Sequence, residues 1–291
     1  FKDSQGSSLY AASFVSARWN PRLRGQAFVG MENVGYLLAS DDGLKTFRKI
    51  VFPSSLAHDQ SGFYTNAQRL FFDRKTDLAV TTSDIGGWWS TDRFATWNDL
   101  LMTYDDGAKL YGNKGVGFAE CAVSIVLGRK GCAYLATNDH GLFRSNGADR
   151  SRWTRISKNP GMPDSVLFFP LGVSPDESCL YAIARGPTDY YSNNTMKLVR
   201  SLDRGDTWAD VTGLLASGTY LPNDQTPRRF SFSPDAKYQW LQFDSVFYVS
   251  TDSGKTFSVA QVPFDTGASG FGFTESAYDA ARGILYLGSN A

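Results

Sequence analysis

Apolar residues along the chain come in short β-branched and aromatic runs broken by turn residues, never at the three-to-four spacing of an amphipathic helix. Five such runs stand out: Gln26 to Met31 (QAFVGM), Leu78 to Ser83 (LAVTTS), Cys132 to Asn138 (CAYLATN), Cys179 to Arg185 (CLYAIAR) and Tyr238 to Phe243 (YQWLQF). Each is followed by a second run ending in serine (YLLAS, GWWS, GLFRS, KLVRS, FYVS). Each is preceded by a third run that closes on a polar turn (SFVSARWNP, RLFFDRKT, VSIVLGRKG, FFPLGVSPD, FSFSPDA). Short strands separated by Gly, Pro, Asn, Asp and Ser predict an all-β chain built from one repeated unit.

The runs ending in serine lead into an octapeptide with Asp at its third position and an aromatic residue at its eighth. The copies are Ser40-Asp-Asp-Gly-Leu-Lys-Thr-Phe47, Ser90-Thr-Asp-Arg-Phe-Ala-Thr-Trp97, Ser201-Leu-Asp-Arg-Gly-Asp-Thr-Trp208 and Ser250-Thr-Asp-Ser-Gly-Lys-Thr-Phe257. Ser145 to Trp153 is a longer, degenerate fifth copy. The serines fall at 40, 90, 145, 201 and 250, at intervals of 50, 55, 56 and 49. That period suits four short strands with their turns, and four-stranded units repeated in this way are best buried as blades around a common axis, a β-propeller. Within the octapeptide, Asp42, Asp92, Asp203 and Asp252 are placed to accept backbone N–H bonds of a turn between third and fourth strands. Phe47, Trp97, Trp208 and Phe257 are placed to fill the space between sheets.

Against a mean interval of 52.5, the 291 residues make about five and a half blades of a single propeller segment, incomplete at both ends. Phe271 to Ala291 reads as first and second strands of a further blade. Phe1-Lys-Asp reads as the aromatic residue and fourth strand that follow an octapeptide.

Composition narrows the partners. Apolar residues make up 42%, enough for a full core, and Lys plus Arg balance Asp plus Glu at 29 each, so no field attracts nucleic acid. No window is apolar enough to span a membrane, and the start, FKDSQGSS, has neither a basic nor an apolar leader region. Cys121, Cys132 and Cys179 form no CxxC pair, and His58 and His140 are the only histidines. Neither a metal centre nor any cofactor is expected, and Cys132 and Cys179 read as small buried hydrophobes.

The octapeptides resemble the Asp-box, or bacterial neuraminidase repeat, of sialidases, sortilin-type receptors, xyloglucan-cleaving glucanases and photosystem II stability factors, all of them β-propellers. Glycine at the fifth position of that pattern is kept in Gly205 and Gly254 but replaced by Leu44 and Phe94, so those two turns are expected to differ in detail. In these families the boxes lie on the face opposite the ligand site, which places function elsewhere.

The opposite face carries the connections between second and third strands, together with the long blade-to-blade segments Pro53 to Tyr64, Leu101 to Phe118 and Gly213 to Thr226. Its most specific signal is Ser83-Asp-Ile-Gly-Gly87 running into Trp88-Trp89-Ser90. It is similar to the TDvGG segment of the xyloglucan-cleaving glucanases, and the resemblance implies that Asp84 is a catalytic general base. An inverting glycosidase needs such a base and an opposed acid about 6.5–9.5 Å away. In that family the acid comes from a second propeller domain, so Asp84 alone does not complete the enzyme. An Asp-x-Gly-Gly sequence is also ordinary hairpin chemistry in its own right.

Candidate ligand-binding residues on the same face are Trp88, Trp89, Asp139, His140, Tyr190 and Tyr191, aromatics beside carboxylates as carbohydrate recognition uses them. Tyr104, Asp105 and Asp106 join them. Trp88 and Trp89 alternate across one strand, so one of them is expected to pack within the blade. A secreted or periplasmic glycan hydrolase is one expectation. A sortilin-like propeller that binds a glycan or protein without chemistry is the other. Sialidase chemistry fits less well, since the chain has Arg155-Ile-Ser but no Arg-Ile-Pro.

Overall fold

The structure is a computed structural model that describes residues 14–31, 36–51, 69–72, 77–83, 86–99, 103–104, 122–127, 132–137, 141–146, 149–163, 167–186, 196–215, 221, 227–260 and 273–289. Apart from two 3-10 turns, Ile156–Lys158 and Thr212–Leu214, the regular structure of these residues is β. The chain divides into two compact units, Phe1–Leu127 with Ser145–Thr154, and Gly128–Arg144 with Arg155–Ala291.

The first unit holds two four-stranded antiparallel sheets. One runs in chain order through Phe14–Trp19, Ala27–Met31, Tyr36–Ser40 and Arg48–Val51, the other through Arg69–Phe72, Ala79–Ser83, Gly86–Ser90 and Asn98–Asp99. Phe28, Leu37, Ala39 and Ile50 of the first pack against Leu70, Ala79 and Phe94 of the second. Phe28 meets Phe94 edge-on at 5.3 Å and lies tilted against Phe72 at 5.2 Å. Each ring buried there contributes about 1.5–3 kcal/mol. The short strand Thr103–Tyr104 runs parallel to Arg152 and Trp153.

The second unit holds the hairpin of Ala133–Thr137 with the strand that begins at Gly141, then two more four-stranded sheets. These are Leu167–Val173, Leu180–Arg185, Met196–Ser201 and Ala209–Asp210, followed by Pro227–Phe232, Gln239–Phe243, Phe247–Ser250 and Ser258–Val259. Phe273–Asp279 and Ile284–Ser289 close the unit as an antiparallel pair. Tyr181 stacks on Phe230 at 4.5 Å and meets Phe257 edge-on, joining the two larger sheets. Trp240 and Phe247 do the same toward Tyr278, Leu285 and Leu287. Gln239–Phe243 is buried at every position. Leu180–Arg185 is likewise buried at all but its last position. A strand covered on both faces has no solvent side to show, so LYAIA reads as a continuous apolar run, while Gln239–Phe243 keeps two buried glutamines.

The four octapeptides lie between third and fourth strands and share one hydrogen-bond pattern. The serine hydroxyl donates to the aspartate at 2.7–2.9 Å and accepts the backbone N–H four residues on at 2.7–2.9 Å. The same aspartate accepts both the backbone N–H and the hydroxyl of Thr46, Thr96, Thr207 or Thr256. The expectation that Leu44 and Phe94 alter the turn is not met. Both take the left-handed backbone that Gly205 and Gly254 take, at φ 71° and 64° against 96° and 78°. What differs is the space around the position. A Cβ on Gly205 would stand 2.6 Å from Ile156 Cδ1, and one on Gly254 would stand 2.5 Å from the Tyr181 hydroxyl. Leu44 points outward at 43% exposure, and the Phe94 ring is buried among Phe28, Phe72 and Trp97.

A second recurrent turn joins first to second strands in the second unit. In Ser174-Pro-Asp and Ser233-Pro-Asp the serine hydroxyl donates to the aspartate and accepts the backbone N–H five residues on, at 2.9 Å from Cys179 and Tyr238. Its fourth residue, Glu177 or Ala236, sits at φ 59°.

Candidate functional site

In an antiparallel meander the octapeptide and the first-to-second turn share one end of the sheet. The second-to-third connection and the start of the first strand share the other. Three of the second-to-third connections named from the sequence are bounded by described strand residues. The hairpin around Asp84 is paired out to Ser83 and Gly86, that around Asp139 and His140 to Thr137 and Gly141, and that around Tyr190 and Tyr191 to Arg185 and Met196. Asp84, Asp139, His140, Tyr190 and Tyr191 themselves lie outside the described residues, as do Asp105, Asp106, Cys121 and His58. Trp88 and Trp89 are consecutive in the strand Gly86–Ser90, opposite Thr81 and Val80. Trp89 is half-buried, and its carbonyl accepts Asn98 Nδ2 at 3.4 Å. Tyr104 lies opposite Trp153.

The corresponding turn that is described in full is Phe243-Asp-Ser-Val246, closed by the Phe243 N–H on the Val246 carbonyl at 2.8 Å. Asp244 precedes its octapeptide serine by six residues, as do Asp84 and Asp139. Its carboxylate accepts Arg228 Nε at 2.5 Å and is one-third exposed. Arg228 reaches it because the first strand bulges there, between Pro227 and Arg229. The same irregularity recurs near the start of the first strand between Phe14 and Ser16, Phe169 and Leu171, and Phe273 and Glu275. Bulges bend a strand and re-aim its side chains. At Pro170, which has no N–H to lose, the bulge also accommodates proline. Sequence reasoning passed over both the bulges and the Arg228–Asp244 pair, although the six-residue offset of Asp244 was available to it.

The chemistry of the octapeptide end is of another kind. Asp42, Asp92, Asp203 and Asp252 are held down to about 2, chiefly by the hydroxyl and backbone N–H of their own turns. They stay ionised and satisfied, which makes them locks rather than acids or bases. In the second unit Arg204 reaches Tyr134 Oη at 3.3 Å, Cys132 Sγ at 2.6 Å and the fully buried Glu177 at 3.5 Å. Burial pushes the Tyr134 hydroxyl up to about 12 and the half-buried Cys179 thiol up to about 11. Among the described residues no group of three or more His, Cys, Asp or Glu is arranged to hold a metal. No described helix is long and apolar enough to cross a membrane.

No protein-family model matches the chain. A curated xyloglucanase of Hypocrea jecorina (strain QM6a) is 28% identical over 138 residues, 44% of this chain and 16% of that protein. The crystal structure of an ancestral GH74 enzyme superposes with a TM-score of 0.64 at 11% identity, over 96% of this chain and 41% of that one. The structure of YCF48 bound to D1 peptide superposes at 0.54 with 13% identity, over 90% of this chain and 74% of that one. The chain thus spans about one-sixth of the curated relative and two-fifths of the GH74 enzyme. At these identities the structural likenesses speak to fold alone. Together the comparisons make the chain similar in sequence to a xyloglucanase and in fold to GH74 xyloglucanase-type propellers.

Proposed function

We propose that the chain belongs to a β-propeller glycoside hydrolase of xyloglucanase type, with Asp84 as the general base of an inverting cleavage. Its four-stranded sheets are then blades, about five and a half of them, joined through Asp-box turns. The observation that carries the reading is the 28% identity to a xyloglucanase, taken with the SDIGG sequence between the strands Ala79–Ser83 and Gly86–Ser90. A carboxylate beside two glycines leaves the backbone open to close approach by a sugar ring, and water activated by that carboxylate attacks the anomeric carbon from the face opposite the leaving oxygen. Asp139, His140, Tyr190, Tyr191 and the tryptophan pair would line the approach. The acid that protonates the leaving oxygen is not assigned to any residue of this chain. A polymeric substrate places the protein outside the cytoplasm, in the medium or the periplasm.

The deciding experiment is hydrolysis of xyloglucan by the whole protein and by its Asp84→Asn variant, with proton NMR of the first-formed reducing ends. The reading expects loss of most turnover in the variant and release of inverted anomers by the parent. Equal turnover in the two would remove Asp84 from the mechanism.

A second reading, a propeller that binds a glycan or a protein segment without chemistry, is favoured by the 74% coverage of YCF48, whose structure holds a bound peptide. Saturable binding to xyloglucan or to a peptide by a protein that hydrolyses neither would select it.

A further inference from the structure

The octapeptide end of the first unit carries a cleft of about 480 Å³ between its two four-stranded sheets, a size that suits a small ligand. It is lined by Arg24 and Gln26 from the first-to-second turn, Asp41 and Arg48 from the first sheet, and Asp92 and Arg93 from the second octapeptide. Both carboxylates are already engaged. Asp41 accepts Gln26 Nε2 at 2.6 Å and Arg48 Nε at 3.3 Å, and Gln26 is itself held by Asn20 at 2.6 Å. Asp92 is consumed by Ser90 and Thr96 within its own turn. Arg24 and Arg93 have no hydrogen-bond or ion-pair partner among the described residues, so the lining carries one positive charge in excess.

The octapeptide of the second unit shows what an arginine at this position does when a partner is provided. Arg204 stands at the same place as Arg93, fourth in the octapeptide, with nearly the same backbone, φ 64° against 62°. Arg204 closes on Glu177, Tyr134 and Cys132. Around Arg93 no side chain closes by a hydrogen bond or ion pair among the described residues: the carboxylate its charge acts on, Asp41, is already taken by Gln26 and Arg48, and Arg24 lines the same cleft.

We infer that this cleft is a binding site for a small oxyanion, a carboxylate or phosphate group, held by the guanidinium groups of Arg93 and Arg24, with Arg48 of the same lining held by Asp41. Planar guanidinium groups match such anions with paired N–H donors, and a fixed left-handed backbone at Arg93 limits the side chain's search. The site lies at the opposite end of the sheets from the strand ends Ser83 and Gly86, and it stands or falls independently of any hydrolase activity.

Calorimetric titration of the whole protein with inorganic phosphate, with glucuronate and with neutral glucose tests it at low and high salt. Saturable binding of phosphate, glucuronate or both, absent for glucose and weakened by salt, is expected, and the preferred probe identifies the source of the anion. Arg93→Gln and Arg24→Gln should each weaken it by about tenfold or more, as loss of one charge-assisted bond does, while Arg93→Lys keeps part of it. Thermal melts of the variants should match the parent, since neither side chain braces the fold. Absence of saturable binding to either anion, or binding unchanged in both glutamine variants, would overturn the assignment.

Discussion

Arg204 Nη2 lies 3.5 Å from Oε2 of Glu177, a carboxylate with no solvent exposure, and the pair joins an octapeptide to a first-to-second turn 27 residues earlier in the chain. Both residues sit in left-handed backbone, φ 64° and 59°. Two strained turns are thus tied to each other, and each is held in place by what the other presents.

Removing the cation should cost more than removing the charge it serves. Arg204→Ala leaves a buried carboxylate short of a partner and is expected to lower stability by about 1–3 kcal/mol in urea melts. Adding Glu177→Gln to that variant should recover part of the loss, because the group left behind is then neutral. A double variant no more stable than Arg204→Ala would show that the brace acts through packing alone.

Acid should unfold the protein through its turns. Asp92, Asp176 and Asp203 stand at about 2 in the folded protein against 3.8 unperturbed, so the unfolded chain binds protons more readily. Their contribution is complete above pH 3.8 and is lost as pH falls toward 2. The melting temperature should therefore stay level near neutral pH and drop below about pH 4, and Asp203→Asn should flatten that drop. Melts at pH 2.5, 4 and 6 suffice to read it.

The same substitution should have opposite signs in two octapeptides. Leu44→Gly relieves a left-handed leucine that is 43% exposed and is expected to stabilise by about 0.5–1 kcal/mol, after the extra chain entropy of glycine is set against the relief. Phe94→Gly relieves the same backbone but deletes a ring at 3% exposure, and should destabilise by about 3–5 kcal/mol. Paired urea melts measure both.

Turn and hydrolysis should separate by mutation. Asp203→Ala removes the acceptor for Ser201, Thr207 N–H and Thr207 hydroxyl, and is expected to cost about 1 kcal/mol, as a lost side-chain cap does, with turnover unchanged. Asp84→Ala should do the reverse under the hydrolase reading. Xyloglucan assays run beside thermal melts report the two effects independently.

The strands were legible because burial on both faces writes itself into composition. Leu180–Arg185 and Gln239–Phe243 lie within a residue of the runs read from the sequence, and Phe273–Asp279 with Ile284–Ser289 falls inside the segment read as two strands. The turn at Leu44 was misjudged because a glycine rule concerns backbone cost alone. Whether a side chain is admitted depends on Ile156 or Tyr181 lying across the gap, which no local pattern contains. Arg204–Glu177 is not legible for a related reason: an arginine in a turn reads as solvated until a neighbouring turn brings a carboxylate to it. For Arg228–Asp244 the offset of Asp244 is readable, but the bulge that carries the strand residue Arg228 to it is not. For the candidate site the sequence indicates an end of the sheets and a set of side chains. Their mutual distances depend on how successive sheets are spaced, which a repeat interval does not encode.

Because each four-stranded sheet is a simple meander, every strand in it is hydrogen-bonded to its neighbour in the chain. Loops that close over so short a contour cost little entropy, so a sheet can zip up from its own turns before it finds a partner sheet. Amide exchange should accordingly open in sheet-sized blocks. The slowest protons are expected in Leu180–Arg185 and Gln239–Phe243, and the fastest in Ile284–Ser289, which is paired along one side among the described residues and exposes Tyr286 at 53%.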